Sequence, residues 1–93
     1  MEFEWNDAKA EANLRDHDGV SFELAKTVFK DRLAVGWLDD RKDYGEERSI
    51  IIGMAQGNVL LFVAYTERED CIRIISARRA TPHEQDHYFQ QNA

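Results

Sequence analysis

Two adjacent arginines, Arg78 and Arg79, close the stretch Cys71-Ile72-Arg73-Ile74-Ile75-Ser76-Ala77-Arg78-Arg79-Ala80, just before Thr81-Pro82-His83-Glu84. A guanidinium carries its donors in a fixed fork that matches phosphate oxygens, so arginines at the end of an apolar strand are candidates for holding a phosphate. They are costly there unless something anionic uses them. The other reading is a strand that runs out into solvent, with both arginines as surface salt-bridge donors, and the residues alone leave both open. Successive strand side chains point to opposite faces, so one arginine is expected on a concave sheet surface and the other at its rim. Arg48, Tyr65, Arg68, Arg73 and Tyr88 complete a basic and aromatic set. Gathered on one face, this set could bind RNA and cleave it without metal. The 2′-hydroxyl would attack the adjacent phosphorus, arginine would stabilise the charge building on the phosphoryl oxygens, and tyrosines would stack on bases.

Two further patterns carry chemistry. His83-Glu84-Gln85-Asp86-His87 matches H-E-x-x-H, two histidines on one helix face with a carboxylate between them, as in zinc peptidases. Its context opposes that reading. Thr81 and Glu84 are spaced as a capping box, which already accounts for Glu84, and only six residues follow His87. No metal site is expected. His17, between Asp16 and Asp18, is a possible general base because imidazole titrates near neutral pH; a helix-terminal residue favoured by the dipole is the plainer account. Phosphate-cradling glycine loops, C-x-x-C pairs and G-x-S-x-G elbows are absent from the sequence.

The elements that must position these residues read as β-α-α-β-β-β-β-α. Phe3 and Trp5 alternate with Glu2 and Glu4 as a short strand, and Asn6 or Asp7 caps a helix to about Asp16. His17-Asp18-Gly19 breaks that helix. Ser21 caps a second, whose Phe22, Ala25, Val28 and Phe29 form a core stripe. Leu33 to Leu38 is the next strand, and Asp39 to Glu47 a charged loop. Three strands follow as a meander, from Glu47 to Gly53, Val59 to Thr66 and Cys71 to Arg79. The middle one is apolar almost throughout, as a strand covered on both faces should be, and is expected at the sheet centre. A helix from Thr81 or Pro82 to about Gln90 closes the chain. The fold class is α+β, one domain over residues 1–93, an antiparallel meander sheet with flanking helices.

The 93 residues carry a net charge of −6, and the excess acid lies before Arg48. An acidic chain repels polyanions at long range, which leaves room only for a local basic cleft and suits a basic protein partner. No apolar run reaches the length of a membrane span, and the N-terminus lacks a signal core. A single cysteine, Cys71, fits a reducing cytosol and a packing role. Hence a cytoplasmic chain is expected, away from membranes.

Several blocks resemble the BrnT family of type II toxin–antitoxin systems. These are Phe3 to Leu14, Gly19-Val20-Ser21-Phe22-Glu23-Leu24-Ala25, Glu46-Glu47-Arg48, Tyr65-Thr66-Glu67-Arg68, and Arg73 to Thr81 with Glu84 and Tyr88. The resemblance implies a RelE-like ribonuclease fold and RNA cleavage that blocks translation, without a cofactor. It also implies neutralisation by a BrnA-type antitoxin, which represses the shared operon, so that operator DNA is met only through the antitoxin complex. Carried over, Arg68, Arg78 and Arg79 would bind phosphate and stabilise the transition state, with Tyr88 beside them. Arg48, Lys26 and Tyr65 would contact RNA. The base stays open among Glu67, Tyr88 and His17. The chain departs from the family where members commonly read Lys-His-Gly. Here Asp16-His17-Asp18-Gly19 has an acid at the lysine position and one residue more. The alternative is a BrnT-like binding module with weak or no catalysis, acting only as antitoxin partner and co-repressor.

Overall fold

The computed structural model describes residues 1–41, 43 and 45–93. Five strands form one sheet in the order β1-β5-β4-β3-β2, with β1 at Glu2–Glu4, β2 at Val35–Asp39, β3 at Arg48–Ala55, β4 at Val59–Arg68 and β5 at Cys71–Arg79. The apolar strand β4 lies at the centre, as its sequence requires. Strands β2 to β5 pair antiparallel, but β1 runs parallel to β5, Phe3 opposite Ile72. The sheet is therefore mixed at that edge. Alternation in Glu2 to Trp5 fixes which side chains face inward but carries no information on strand direction.

Helices α1, Asp7–Asp16, and α2, Phe22–Lys26, begin at Asn6 and Ser21, whose side chains accept from the Lys9 and Leu24 N–H groups. Both helices pack on β5, and α2 continues as a 3-10 turn, Thr27–Lys30, over β3. Val20, Phe22, Ala25 and Val28 close this side over Leu61, Val63, Ile72, Ile74 and Ala77. The turn approaches so closely that a Cβ on Gly53 would lie 2.8 Å from Val28 Cγ1, leaving room for glycine alone. Helix α3, Pro82–Gln91, starts with the expected capping box of Thr81 and Glu84. It covers only part of the other face, where Tyr88 and Ala80 meet Ile52 and Leu60. Among the described residues, no other helix covers that face.

Parity along β5 changes midway. Ala64 pairs with Ser76 but Tyr65 pairs with Ile74, so Ile75 is an extra, unpaired residue, a bulge. Ile72 and Ile74 face the α1/α2 side. After the bulge Ala77 faces that side and Ser76 and Arg78 the other, whereas unbroken alternation would send Arg78 toward Ile72. Of the charged segment after β2, Asp39 ends the strand, 8% exposed, and meets Arg41 Nε and Nη2 at 2.8 and 2.9 Å. Lys42 and Tyr44 in that segment lie outside the described residues.

Candidate active site

Arg78 and Arg79 diverge as a strand demands. Arg78 pairs with Phe62 across the ladder and Arg79 with Leu61, so the two side chains leave opposite faces of the sheet. The Arg78 guanidinium carbon sits 4.0 Å above the Phe62 ring, a cation–π contact. Its Nη1 and Nη2 donate to Glu84 Oε1 and Oε2 at 2.8 and 2.9 Å, and Nη1 also donates to the Arg79 carbonyl at 3.2 Å. Glu84 thus joins two structures, since Oε1 also accepts from the Thr81 N–H at 2.9 Å. Burial opposes ionisation of Glu84, but the bonds from Arg78 and Thr81 outweigh it and hold the carboxyl below its ordinary range. End-on pairing with Glu84 leaves Arg78 its Nε–H and the second Nη2 proton, a side-on fork with no partner among the described residues. Arg79 is exposed and donates to no described side chain.

The broken end of α1 comes up beside them. Asp16, His17, Asp18, Arg78, Arg79 and Thr81 line one open cavity of about 310 Å³. Asp18 and Gly19 take left-handed conformations, φ 53° and 78°, and Gly19 donates to the Leu14 carbonyl at 2.9 Å. This wraps the chain around the helix end and turns the Asp16-His17-Asp18 segment toward β5. Asn13, 5% exposed, fixes the same corner. Its Nδ2 donates to the Ala77 and Val20 carbonyls at 2.7 and 2.9 Å, and its Oδ1 accepts from the Ala77 N–H at 3.1 Å. Strand β1 pairs only with Cys71 to Arg73, so the Asn13 amide replaces a neighbouring strand at Ala77, one residue before Arg78. A polar residue on the apolar side of α1 was the available signal for this role.

The remaining sequence candidates lie elsewhere. Arg68 stands at the far end of β4, six residues and about 20 Å of strand from Phe62. It is exposed and paired with Glu46 Oε1 at 3.0 Å. Arg48 begins β3 opposite Asp39, near that end. Tyr65 faces the α1/α2 core with its ring edge-on to Phe29 at 5.0 Å, and Lys26 Nζ lies 5.7 Å over the Phe3 ring. Tyr88 is 4% exposed, and its hydroxyl donates to Asp31 Oδ2 at 2.6 Å. Burial, this bond and the Asp31 charge push the phenol up to about 12. A phenol that keeps its proton cannot accept one near neutral pH. Glu67 is exposed next to Arg68. Of the three candidate bases, only His17 adjoins the paired arginines. In the H-E-x-x-H stretch, Glu84 is engaged by Arg78 and Thr81, and among the described residues no group of three His, Cys, Asp or Glu is placed to hold a metal ion.

The family described as "Ribonuclease toxin, BrnT, of type II toxin-antitoxin system" matches residues 5–84, from Trp5 through the Arg78–Glu84 pair. The chain belongs to the BrnT family. That family is one of ribonuclease toxins, and a type II system supplies a protein antitoxin as partner. A solved structure, the Brucella abortus ribonuclease toxin BrnT, is 19% identical with a TM-score of 0.62. The alignment covers 87% of this chain and 97% of that one, and at this identity it shows the shared BrnT fold alone. No protein of curated function matches. Among the described residues, no helix is long and apolar enough to cross a membrane.

Proposed function

We propose that this chain is a metal-independent endoribonuclease toxin that blocks translation by cleaving RNA in the cytoplasm. A BrnA-type antitoxin neutralises it, and the two together repress their operon, so that operator DNA is bound only through the complex. The observation that carries the catalytic reading is the cavity shared by His17, Arg78 and Arg79. At the end of β5, where both residues line this cavity, the free fork of Arg78 and the exposed guanidinium of Arg79 reach round from the two faces of the sheet to hold the scissile phosphate. His17 takes the proton of the 2′-hydroxyl, and the 2′-oxygen attacks phosphorus while the 5′-oxygen leaves and takes a proton from water. The two arginines balance the charge that develops on the phosphoryl oxygens. Products are a 2′,3′-cyclic phosphate and a 5′-hydroxyl. Arg68 and Arg48 bind outlying phosphates of the same strand, and Tyr88 holds α3 in place through Asp31.

Two carboxylates, Asp16 and Asp18, line the same cavity. They oppose a polyanion and favour, as the second reading, a weakly catalytic chain that serves as antitoxin partner. Purified chain incubated with RNA in excess chelator separates the two. The proposal expects fragments ending in cyclic phosphate, and intact RNA, or cleavage only after a divalent ion is added, contradicts it.

A further inference from the structure

Beside Arg78, on the uncovered face, a cleft of about 610 Å³ opens between β2 and α3. Ile50, Ile52 and Phe62 form its floor. Trp37 and His87 form its wall, with their rings edge-on at 5.9 Å, and Trp37 stays 41% exposed. His83 and Gln91 supply polar groups at the rim. The volume falls within the range of small-ligand sites, and an apolar cleft with a few convergent polar groups is their usual composition. Nothing in the catalytic reading uses it.

Its position indicates the ligand. Phe62 is at once the ring under the Arg78 guanidinium and part of the cleft floor, and the Trp37 ring lies 6.2 Å from it. An anion on the free fork of Arg78 would therefore carry whatever is attached to it over these two rings. A flat group with π-faces and a hydrogen-bonding edge, tethered to a phosphate, is a nucleobase. We propose that the cleft is a nucleobase pocket, taking the base next to the phosphate held by Arg78. The base stacks on Trp37 with its edge against Phe62, and His83 and Gln91 meet its polar groups. This inference rests on the assignment of Arg78 to a phosphate.

Binding tests it without cleavage. Short single-stranded RNA blocked at every 2′-oxygen by methylation is compared with a baseless backbone of the same length and charge. Trp5→Phe leaves Trp37 as the sole tryptophan reporter. Base-bearing RNA is expected to quench Trp37 and to bind about tenfold more tightly than the baseless chain, the scale of one stacked base. Trp37→Ala should remove that tenfold preference, Trp37→Phe should keep most of it, and neither should change binding of the baseless chain. Equal affinity for the two chains, an unquenched Trp37, or a Trp37→Ala variant that binds like wild type would each overturn the pocket. Failure to cleave ordinary RNA alongside base-dependent quenching would instead count against the ribonuclease reading alone. Cleavage without base dependence would count against the pocket alone.

Discussion

Arg78 and Glu84 face each other in a two-point ion pair, Nη1 to Oε1 at 2.8 Å and Nη2 to Oε2 at 2.9 Å. The strand that carries the arginine and the helix that carries the carboxylate meet in that contact. Because Thr81 also donates to Glu84, the helix cap and the orientation of the guanidinium are one structure. The pair is about one-third exposed on the arginine side, so its value lies more in geometry than in net stability.

Glu84→Gln separates those roles. The amide still reaches the Thr81 N–H but no longer balances or aligns the guanidinium. Arg78 then samples other rotamers, while the local potential becomes more positive. Steady-state cleavage is expected to show kcat reduced about tenfold with KM unchanged or lower, the signature of lost preorganisation. An unchanged kcat would separate Arg78 orientation from catalysis.

Asn13→Ala tests the corner that holds the end of β5. It removes three buried hydrogen bonds and leaves Ala77 and Val20 groups without partners, a loss of about 2–4 kcal/mol. Chemical denaturation should show the drop, and hydrogen exchange at Ala77 should accelerate more than at Val63 on the central strand. Uniform acceleration across the sheet would mean that Asn13 has no local role.

Tyr88 and Asp31 give the fold a defined response to acid. Burial opposes the Asp31 charge, but bonds from Met54, Tyr88 and Leu33 outweigh it, and its carboxyl is lowered. A carboxyl lowered in the folded state adds stability above its unfolded value, near 3.9, and loses it as pH falls through the folded value. Melting temperature should therefore be flat from pH 6 to 8 and decline below about pH 4. Asp31→Asn should be less stable at neutral pH, with the deficit shrinking in acid. Tyr88→Phe should cost about 1–2 kcal/mol and leave cleavage intact. A large loss of kcat in a folded Tyr88→Phe protein would return the phenol to the chemistry.

Asp16→Lys probes the acid beside the arginines. Exchanging a negative for a positive charge at the cavity should tighten RNA binding roughly threefold to tenfold at low salt, with the gain shrinking as ionic strength rises. A salt-independent effect would point to a changed helix end instead of electrostatics.

Much of this was legible in the residues. The caps at Asn6, Ser21 and Thr81, the centrality of Val59 to Thr66 and the divergence of Arg78 from Arg79 follow from local chemistry and strand periodicity. The gathering of the site was not. Arg68 and Arg78 look alike in sequence, yet antiparallel pairing sends them to opposite ends of the β4–β5 hairpin. The unpaired Ile75 decides which arginine meets the open face, and an Ile-Ile-Ser run does not announce a bulge. Tyr88 and Asp31 bond across 57 residues, which no spacing rule anticipates. The Arg78–Glu84 pair was hidden behind the capping box that accounted for Glu84 already.

The most direct measurement is antitoxin-free expression of wild type beside an Arg78→Ala/Arg79→Ala variant, following growth and total RNA, with circular dichroism on both proteins. The account predicts growth arrest with RNA loss for wild type and neither for a variant that folds alike. Continued growth with well-folded, soluble wild type, or arrest that persists in the folded variant, would contradict it.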